Sequence, residues 1–372
     1  MKIHQIAPPY IPVDPAITYG GIERVIFQLD KTLAGQGHQT SMSATRGSKP
    51  VGRLYETVTP VGIGDCRRFS DLDAFYLKLD HMAMSVNNAN SEDFDVVQVH
   101  EENLFPFLHF IQKPAVYTIH SAPEEFWNPE VHPEIIGDLQ DKNHNIVAVS
   151  RRIRDIYTEM GFRVDYVVHN GFDVSREHFL ESKGDYLLSL GVIRPQKGQH
   201  IAIKVAENLG IPLVIAGNIG DENYFGEIKN HITHSIERVE DKLGSYLELP
   251  EGRKIVYAGH VNDRQKFPLF SHARAFLITS VIEDALPGVT IEAMATGTPV
   301  IGFNKGGIPE MIMPGRKGYV VENADDMTEA VRISDNIRPQ DCRDLYEREF
   351  TAGAMTQRYL DVYREVRKNG EK

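Results

Sequence analysis

Apolar residues in this chain fall into short runs that alternate with segments of helical periodicity. Residues 3–7 predict a short strand, and apolar residues then recur at helical spacing from Ile22 to Leu33. Further strands are predicted at 96–99, 115–119 and 146–149. Polar residues follow each of these runs. Strands that alternate with helices predict a parallel sheet, and ligands bind at the carboxyl ends of such strands.

The second half of the chain repeats this pattern. Its strands are predicted near 186–190, 213–216, 255–257, 275–278, 299–301 and 319–321. The polar segment 174–184 is a natural linker, and a last helix is predicted around 354–366. A chain of 372 residues is too long for one ordinary core, so about two domains are expected.

The most informative segment is 284–301, which reads DALPGVTIEAMATGTPVI. The turn at Gly288 opens a predicted helix, and the first N–H groups of a helix lack partners and carry positive partial charge. Glu292 lies about one turn into that helix, while Asp284 precedes it. The two acids therefore flank a predicted anion site.

The sequence also predicts where this helix ends. Gly297 suits a left-handed cap, and Pro299 prevents the helix from continuing. A second glycine turn follows at Gly306 and Gly307 and leads to Pro309 in the first turn of another helix. The order of strand, turn and helix is thus repeated, as in a parallel sheet.

The segment 284–301 closely resembles the donor-binding segment of retaining glycosyltransferases of family four. The resemblance covers almost the whole chain. In the family's order it includes Tyr19, Gly20, Gly21 and Glu23; Thr118, Ile119 and His120; His169, Asn170 and Gly171; and Pro195, Gln196, Lys197 and Gly198.

This resemblance implies an α/β fold of the GT-B type, with two facing Rossmann-like domains, mostly parallel sheets and a cleft between them. Residues 1–174 would form the acceptor-side domain and residues 175–351 the nucleotide-sugar-binding domain. The last helix, within 352–372, would pack back on the first domain. No metal ion or other cofactor is expected, because fixed cations and backbone N–H groups would receive the charge of the departing diphosphate.

The resemblance also implies which residues act. His120, Asp284 and Lys197 would be catalytic: His120 and Asp284 near the transferred sugar, and Lys197 on the phosphates. Glu292 would accept hydrogen bonds from the ribose hydroxyls of the donor. The implied donor-binding residues are Gly20, Gly21, Arg194, Lys197, Val261, Gly288, Val289 and Glu292.

Two positions depart from the family pattern. Asp284 stands where the family usually has glutamate, and Glu283 is adjacent but out of register. Val192 stands where the family usually has arginine. Arg194 is two residues further on, so it would point to the same side of an extended segment and could supply the missing charge.

The acceptor side offers weaker signals. Trp127 could stack on a sugar face, but anchoring of its own loop is equally consistent with the sequence. Glu101 lies in an acidic stretch that also includes Glu102, Glu124 and Glu125. These acids favour an acceptor that is neutral or carries an amine over one that is phosphorylated.

Composition narrows the setting. The net charge of −12 argues against a general nucleic-acid binder. Cys66 and Cys342 give no disulfide framework, which favours a reducing compartment. No run approaches the roughly 20 apolar residues of a membrane-spanning helix. A cytoplasmic protein is expected, and contact with a membrane surface stays open.

Two other signals are set aside. No GxGxxG fingerprint follows the first strand, which counts against a nicotinamide enzyme. Asp71 and Asp73 imitate the acid-any-acid signature of metal-dependent glycosyltransferases, but they lie in a segment with helical character. Charges on a solvated helix face are the favoured interpretation.

The predicted function is the transfer of a hexosyl group, with retained configuration, from a UDP- or GDP-sugar to a hydroxyl of a glycan or small glycoside. A nucleotide-sugar isomerase on the same fold is one alternative. A non-catalytic relative that binds nucleotide sugars is another, motivated by Val192 and Asp284.

Overall fold

The computed structural model describes residues 1–16, 20–62, 70–101, 107–123, 144–236, 254–312, 315 and 317–370. The chain divides into two compact units. Unit 1 comprises Met1–Gly171 together with Ala352–Lys372, and unit 2 comprises Phe172–Thr351. The sequence predicts this change after residue 174.

Each unit is built on one seven-stranded sheet whose recorded strand pairs are parallel. The strands of unit 1 are β1 (Lys2–Ile6), β2 (Gln39–Ala44), β3 (Arg53–Glu56), β4 (Val96–Val99), β5 (Ala115–Ile119), β6 (His144–Ala148) and β7 (Tyr166–Val167). The strands of unit 2 are β8 (Leu187–Leu190), β9 (Leu213–Ala216), β10 (His234–Ser235), β11 (Ile255–Tyr257), β12 (Ala275–Ile278), β13 (Val300–Phe303) and β14 (Gly318–Val321).

The helices connect these strands. In chain order they are α1 (Gly21–Gly35), α2 (Asp71–Ser91), α3 (Arg151–Glu159), α4 (Gln199–Leu209), α5 (Glu222–Lys229), α6 (Asp263–His272), α7 (Gly288–Ala295), α8 (Ile308–Met311), α9 (Ala324–Arg332), α10 (Pro339–Glu349) and α11 (Ala352–Gly370). Short 3-10 helices cover Arg176–His178, Pro195–Lys197 and Ser334–Asn336.

The strand order creates one switch point in each sheet. In unit 1 the order is β3-β2-β1-β4-β5-β6-β7, and in unit 2 it is β10-β11-β9-β8-β12-β13-β14. The connections from β1 and from β8 therefore go in one direction, and the chain later returns to the other side of the same strand. In open parallel sheets, ligands bind beyond the carboxyl ends of the strands at such a point.

The final helix α11 belongs to unit 1. Its Tyr359 is fully buried and its hydroxyl lies 3.0 Å from Oγ1 of Thr118 in β5. Gln98 in β4 donates to the same Thr118 oxygen at 2.7 Å. The helix thus completes a buried polar network on the sheet as well as covering apolar surface, so Tyr359 satisfies groups that would otherwise be costly to bury.

Two local predictions hold in detail. Gly297 has a φ of 81°, just past the end of α7, so it adopts the left-handed conformation expected of it. Asp71 and Asp73 are exposed in the first turn of α2, whose N-cap Ser70 accepts from the N–H of Asp73. The acids there are solvated helix charges, as interpreted. Within the described ranges, no helix is both long and apolar enough to cross a bilayer.

Candidate active site

The switch point of unit 2 brings together two residues that are 87 positions apart in the chain. Lys197 ends the 3-10 helix that follows β8, and Asp284 lies in the loop after β12. Because β8 and β12 are neighbours, their carboxyl ends meet. The Lys197 ammonium forms an ion pair with Oδ2 of Asp284, and Ser280 donates to the same oxygen at 2.8 Å.

The second glycine turn, at Gly306 and Gly307, holds the loop around Asp284 by two hydrogen bonds. The N–H of Gly306 donates to Oε2 of Glu283 at 2.6 Å, and the N–H of Gly307 donates to the carbonyl of Asp284 at 2.8 Å. Glu283, the acid that is out of register, therefore fixes the turn. Asp284 is the acid that reaches Lys197.

Gly306 is required for this close approach. Its φ is 53°, and a Cβ built on it would lie 1.9 Å from the carbonyl oxygen of Asp284. No side chain fits at that distance, and the left-handed backbone favours glycine independently.

The helix start after Asp284 has the predicted form. Helix α7 begins at Gly288 after the N-cap residue Pro287, and no side chain caps it. The N–H of Thr290 donates to the carbonyl of Pro287 at 3.0 Å, and those of Gly288 and Val289 are at the position where a helix start binds an anion. A Cβ on Gly288 would lie 2.9 Å from the Phe172 ring, so this position also admits little more than glycine.

Glu292 lies one turn into α7 and is 1% exposed. Its Oε1 accepts from the ammonium of Lys266 at 2.7 Å, and Lys266 itself is 4% exposed. Lys266 also lies 2.8 Å from Oδ1 of Asp263, on the same helix α6. Glu292 is thus a buried carboxylate paired with a buried cation.

Sequence reasoning missed Lys266. A signal was present, because Lys266 lies among Phe267, Leu269 and Phe270, and a lysine surrounded by apolar residues in a helix requires an acidic partner. The identity of that partner depends on which helix packs nearby, and the pattern along one segment does not reveal it.

The remaining predicted donor residues of unit 2 lie around the same sheet edge. Val261 is buried. In the sequence it follows Gly259, which has a φ of 66°, and directly precedes Asn262, the N-cap of α6. Arg194 precedes the 3-10 helix Pro195–Lys197 and is partly buried. The carbonyl of Val192 accepts from the side-chain amide of Gln199 at 3.0 Å, which holds this segment against the start of α4.

Unit 1 places its predicted residues at its own switch point. Gly20, with a φ of 107°, precedes α1, which starts at Gly21. Glu101 follows β4 and is 1% exposed. Glu23, in the first turn of α1, is also buried, and burial together with the nearby Glu101 carboxylate raises its pKa to about 7.

His120 follows β5 and is paired with a second histidine. Nε2 of His120 lies 2.9 Å from Nδ1 of His100, which follows β4. Burial lowers the pKa of His120 to about 3. Burial and the neighbouring His120 hold the pKa of His100 well below its usual value. Both rings are therefore neutral near pH 7, and one of these two nitrogens donates its N–H to the other.

Trp127, Glu102, Glu124 and Glu125 lie outside the described residues, as does Tyr19. Among the residues that the structure does describe, no cluster of three or more His, Cys, Asp or Glu side chains could hold a metal ion.

Comparisons with known proteins agree with this architecture. Residues 19–176 match the family model described as glycosyltransferase family 4, and residues 172–341 match the model described as glycosyl transferases group 1. The family matches make the chain a glycosyltransferase, and its two seven-stranded parallel sheets have the GT-B fold. More specifically, the chain belongs to glycosyltransferase family four, so the predicted fold class and family are both confirmed.

Individual relatives are distant but extend over the full length. O-antigen chain mannosyltransferase C of Escherichia coli is 23% identical, over 98% of this chain and 98% of its own. The structure of HepE from Anabaena in complex with UDP-glucose is similar, with a TM-score of 0.72 at 16% identity, over 98% of this chain and all of that one (100%). The sucrose-phosphate synthase from Thermosynechococcus elongatus gives a TM-score of 0.74 at 15% identity, over 98% of both chains.

Proposed function

We propose that the protein transfers a hexosyl group from a UDP- or GDP-sugar to a hydroxyl of a glycan or small glycoside, with retained configuration and without a metal ion. The observation that carries this proposal is the meeting of Lys197 and Asp284 at the switch point of unit 2, next to the uncapped start of α7. The similarity to a mannosyltransferase and to a UDP-glucose complex supports a hexosyl donor.

The chemistry follows from the charges. Breaking the bond between the sugar and the diphosphate leaves positive character on the ring and gathers negative charge on the leaving phosphate. The Lys197 ammonium and the N–H groups of Gly288 and Val289 would receive that charge, and fixed donors of this kind lower the barrier. Arg194 and the N–H groups at Gly20 and Gly21 are further proposed contacts to the donor.

Asp284 has two roles in this proposal. Before the donor binds, it neutralises Lys197, and Ser280 keeps its Oδ2 in place. With the donor bound, Lys197 would turn toward the phosphates, while the Asp284 carboxylate would lie near the transferred sugar. Ser280 would then remain as the anchor of the shorter aspartate side chain.

The proposed partners of unit 1 are the sugar and the acceptor. A neutral His120 would form one hydrogen bond with a sugar hydroxyl, either as donor or as acceptor. The low pKa of His120 excludes a charged imidazolium there near pH 7. The buried acids Glu23 and Glu101 favour an acceptor that brings no further negative charge.

The test combines substrate screening with a matched pair of variants. The protein is incubated with UDP- and GDP-hexoses and a pool of glycans and glycosides, with and without EDTA. Lys197→Met should lower kcat/KM. The loss should correspond to about 2 to 4 kcal/mol of transition-state stabilisation, the cost of one charge-assisted contact. Lys204→Met, which removes an exposed lysine from the adjacent helix α4, is the control and should keep wild-type activity.

Three results would contradict the proposal. They are wild-type rates in Lys197→Met, activity that is lost with EDTA and restored by manganese, and conversion of the donor without any acceptor. The last result would indicate a nucleotide-sugar isomerase instead.

A further inference from the structure

We propose that Lys266 is a positioning residue for the nucleotide: it fixes and keeps ionised the Glu292 carboxylate that receives the ribose hydroxyls of the donor. This inference rests on the proposed function, in which Glu292 contacts the ribose. It adds a residue that the family pattern did not point to.

The geometry gives Lys266 and Glu292 a close and buried contact. The ammonium lies 2.7 Å from Oε1 of Glu292, and the side chains are 5% and 1% exposed. The second acid on this ammonium, Asp263, is 46% exposed in its side chain, so water shares its charge. The buried carboxylate of Glu292 depends on Lys266 far more than Asp263 does.

Burial explains why a cation is needed. A lone carboxylate at 1% exposure would take up a proton, since transfer of an unpaired charge from water is very costly. A protonated Glu292 would have an O–H donor in place of one acceptor. Two adjacent ribose hydroxyls need acceptors, and an ionised carboxylate supplies about four acceptor sites. Lys266 therefore keeps Glu292 in the form that can accept from both hydroxyls.

The position of Lys266 on α6 also links Glu292 to the turn at Val261, one of the predicted donor-binding residues. Asn262 caps α6 and forms a capping box with Gln265, which fixes the first turn of the helix. Val261 immediately precedes this cap. Lys266 follows one turn later and reaches across to α7. A single side chain thus joins the helix that follows Val261 to the Glu292 carboxylate.

The experiment compares ribonucleotides with deoxyribonucleotides. Calorimetry measures the binding of UDP, 2′-deoxy-UDP, GDP and 2′-deoxy-GDP to the full chain. Wild type should prefer the ribonucleotide of its own base by about tenfold or more, the value of one charged hydrogen bond. In Lys266→Met this preference should fall to about twofold or less, because a neutral or displaced Glu292 no longer discriminates.

Two controls separate positioning from general loss of stability. Arg343→Met removes another buried cation of unit 2, one that donates to the carbonyl of Ala295 at the opposite end of α7. It should weaken the fold and leave the ribose preference unchanged. Lys266→Arg keeps a cation beside Glu292 and should restore most of the preference.

A double variant covers the case in which Lys266→Met does not fold. Glu292→Gln and Lys266→Met/Glu292→Gln both avoid an unpaired buried carboxylate. If Lys266 acts through Glu292, both should show the same weak ribose preference. A further drop in the double variant would overturn the inference.

The outcomes also distinguish this inference from the proposed function. Equal weakening of ribo- and deoxyribonucleotide binding in Lys266→Met, or a wild type that turns over donor without any ribose preference, overturns the role of Lys266 and leaves sugar transfer standing. A wild type that binds no nucleotide and turns over no donor overturns both.

Discussion

At the scale of single residues, the sites of this protein are defined by how buried charges are balanced. Lys266 neutralises Glu292, and Lys197 neutralises Asp284. Glu23 has another acid, Glu101, as its neighbour. Burial, together with that carboxylate, raises the pKa of Glu23 to about 7. The carboxylate of Glu23 therefore titrates in the range where an enzyme would be assayed.

We predict that Glu23→Gln stabilises unit 1 at high pH. Between the usual value of 4.5 and the folded value of about 7, folded Glu23 holds a proton that the unfolded chain has lost. The free energy of unfolding therefore falls as pH rises through this window. The variant should gain roughly 1 to 3 kcal/mol at pH 8 and about nothing at pH 4.

Urea denaturation of wild type and Glu23→Gln at pH 4 and pH 8 measures the difference. Glu56→Gln is a control, because that acid is exposed on β3. An equal effect of Glu23→Gln at both pH values would show that the raised pKa does not govern stability.

Residue pairs are also where the sequence was least informative. The segment 284–301 identified Asp284 and Glu292 as candidate site residues. It could not show that Asp284 meets Lys197 or that Glu292 meets Lys266, because those contacts depend on the order of strands and the packing of helices. The pairing of His120 with His100 was hidden for the same reason.

At the scale of elements, short buried strands were readable and polar ones were not. The prediction of a strand at 115–119 coincides with β5, and buried runs at 213–216 and 275–278 coincide with β9 and β12. Strand β2 was missed because its sequence, QTSMSA, is mostly polar. Its Ser41 and Ser43 are buried and bonded to the ring of His4 at 2.8 and 3.0 Å. A strand whose polar groups bind another strand carries no apolar alternation.

The glycine turns support a second prediction at this scale. Gly306→Ala should destabilise unit 2 by roughly 1 to 3 kcal/mol or more and also lower activity, because the new Cβ would displace the Asp284 carbonyl. Gly226→Ala is the matched control. Gly226 lies inside helix α5 with no atom within 4 Å of a built Cβ. That change should stabilise by roughly 0.5 to 1 kcal/mol.

Thermal unfolding and transfer assays of both variants provide the measurement. A stable and fully active Gly306→Ala would show that the loop carrying Asp284 tolerates displacement. The short distance between Gly306 and the Asp284 carbonyl would then not be needed for activity.

At the scale of the whole molecule, the buried histidines are concentrated in unit 1. Burial lowers the pKa of His4 to about 3 and that of His81 to about 4, and His100 and His120 are also held neutral. All four lie in Met1–Gly171. The division into two units, the sheet edges and the family were reached from the sequence, but this difference in acid sensitivity required the burial of each side chain.

We predict that unit 1 loses stability first on acidification. Below pH 6.5 the unfolded chain binds protons at these histidines that the folded unit does not, so the free energy of unfolding falls as pH falls. Each buried histidine contributes about 1.4 kcal/mol per pH unit between 6.5 and its folded value. Burial also raises the pKa of Glu23, to about 7, and that of Asp30, and these two acids act in the opposite direction, but two acids do not offset four histidines.

Hydrogen exchange at pH 7, 6 and 5 locates the loss in each unit. In His4→Gln, whose amide cannot be protonated, the pH dependence should become shallower by about 1.4 kcal/mol per pH unit. Unfolding of unit 2 ahead of unit 1, or an unchanged slope in the variant, would contradict the prediction.

The placement of α11 has a consequence for how the protein is made. Unit 1 needs the segment that begins at Ala352, yet the rest of it ends at Gly171, so the whole of unit 2, Phe172–Thr351, lies between the two parts in the sequence. On the ribosome, the first half of the nascent chain must wait for its last helix while the uninterrupted unit 2 is completed. A translation product that stops before Tyr359 leaves Thr118 and the surrounding apolar surface uncovered. We expect chaperones to bind that surface and proteases to degrade the product.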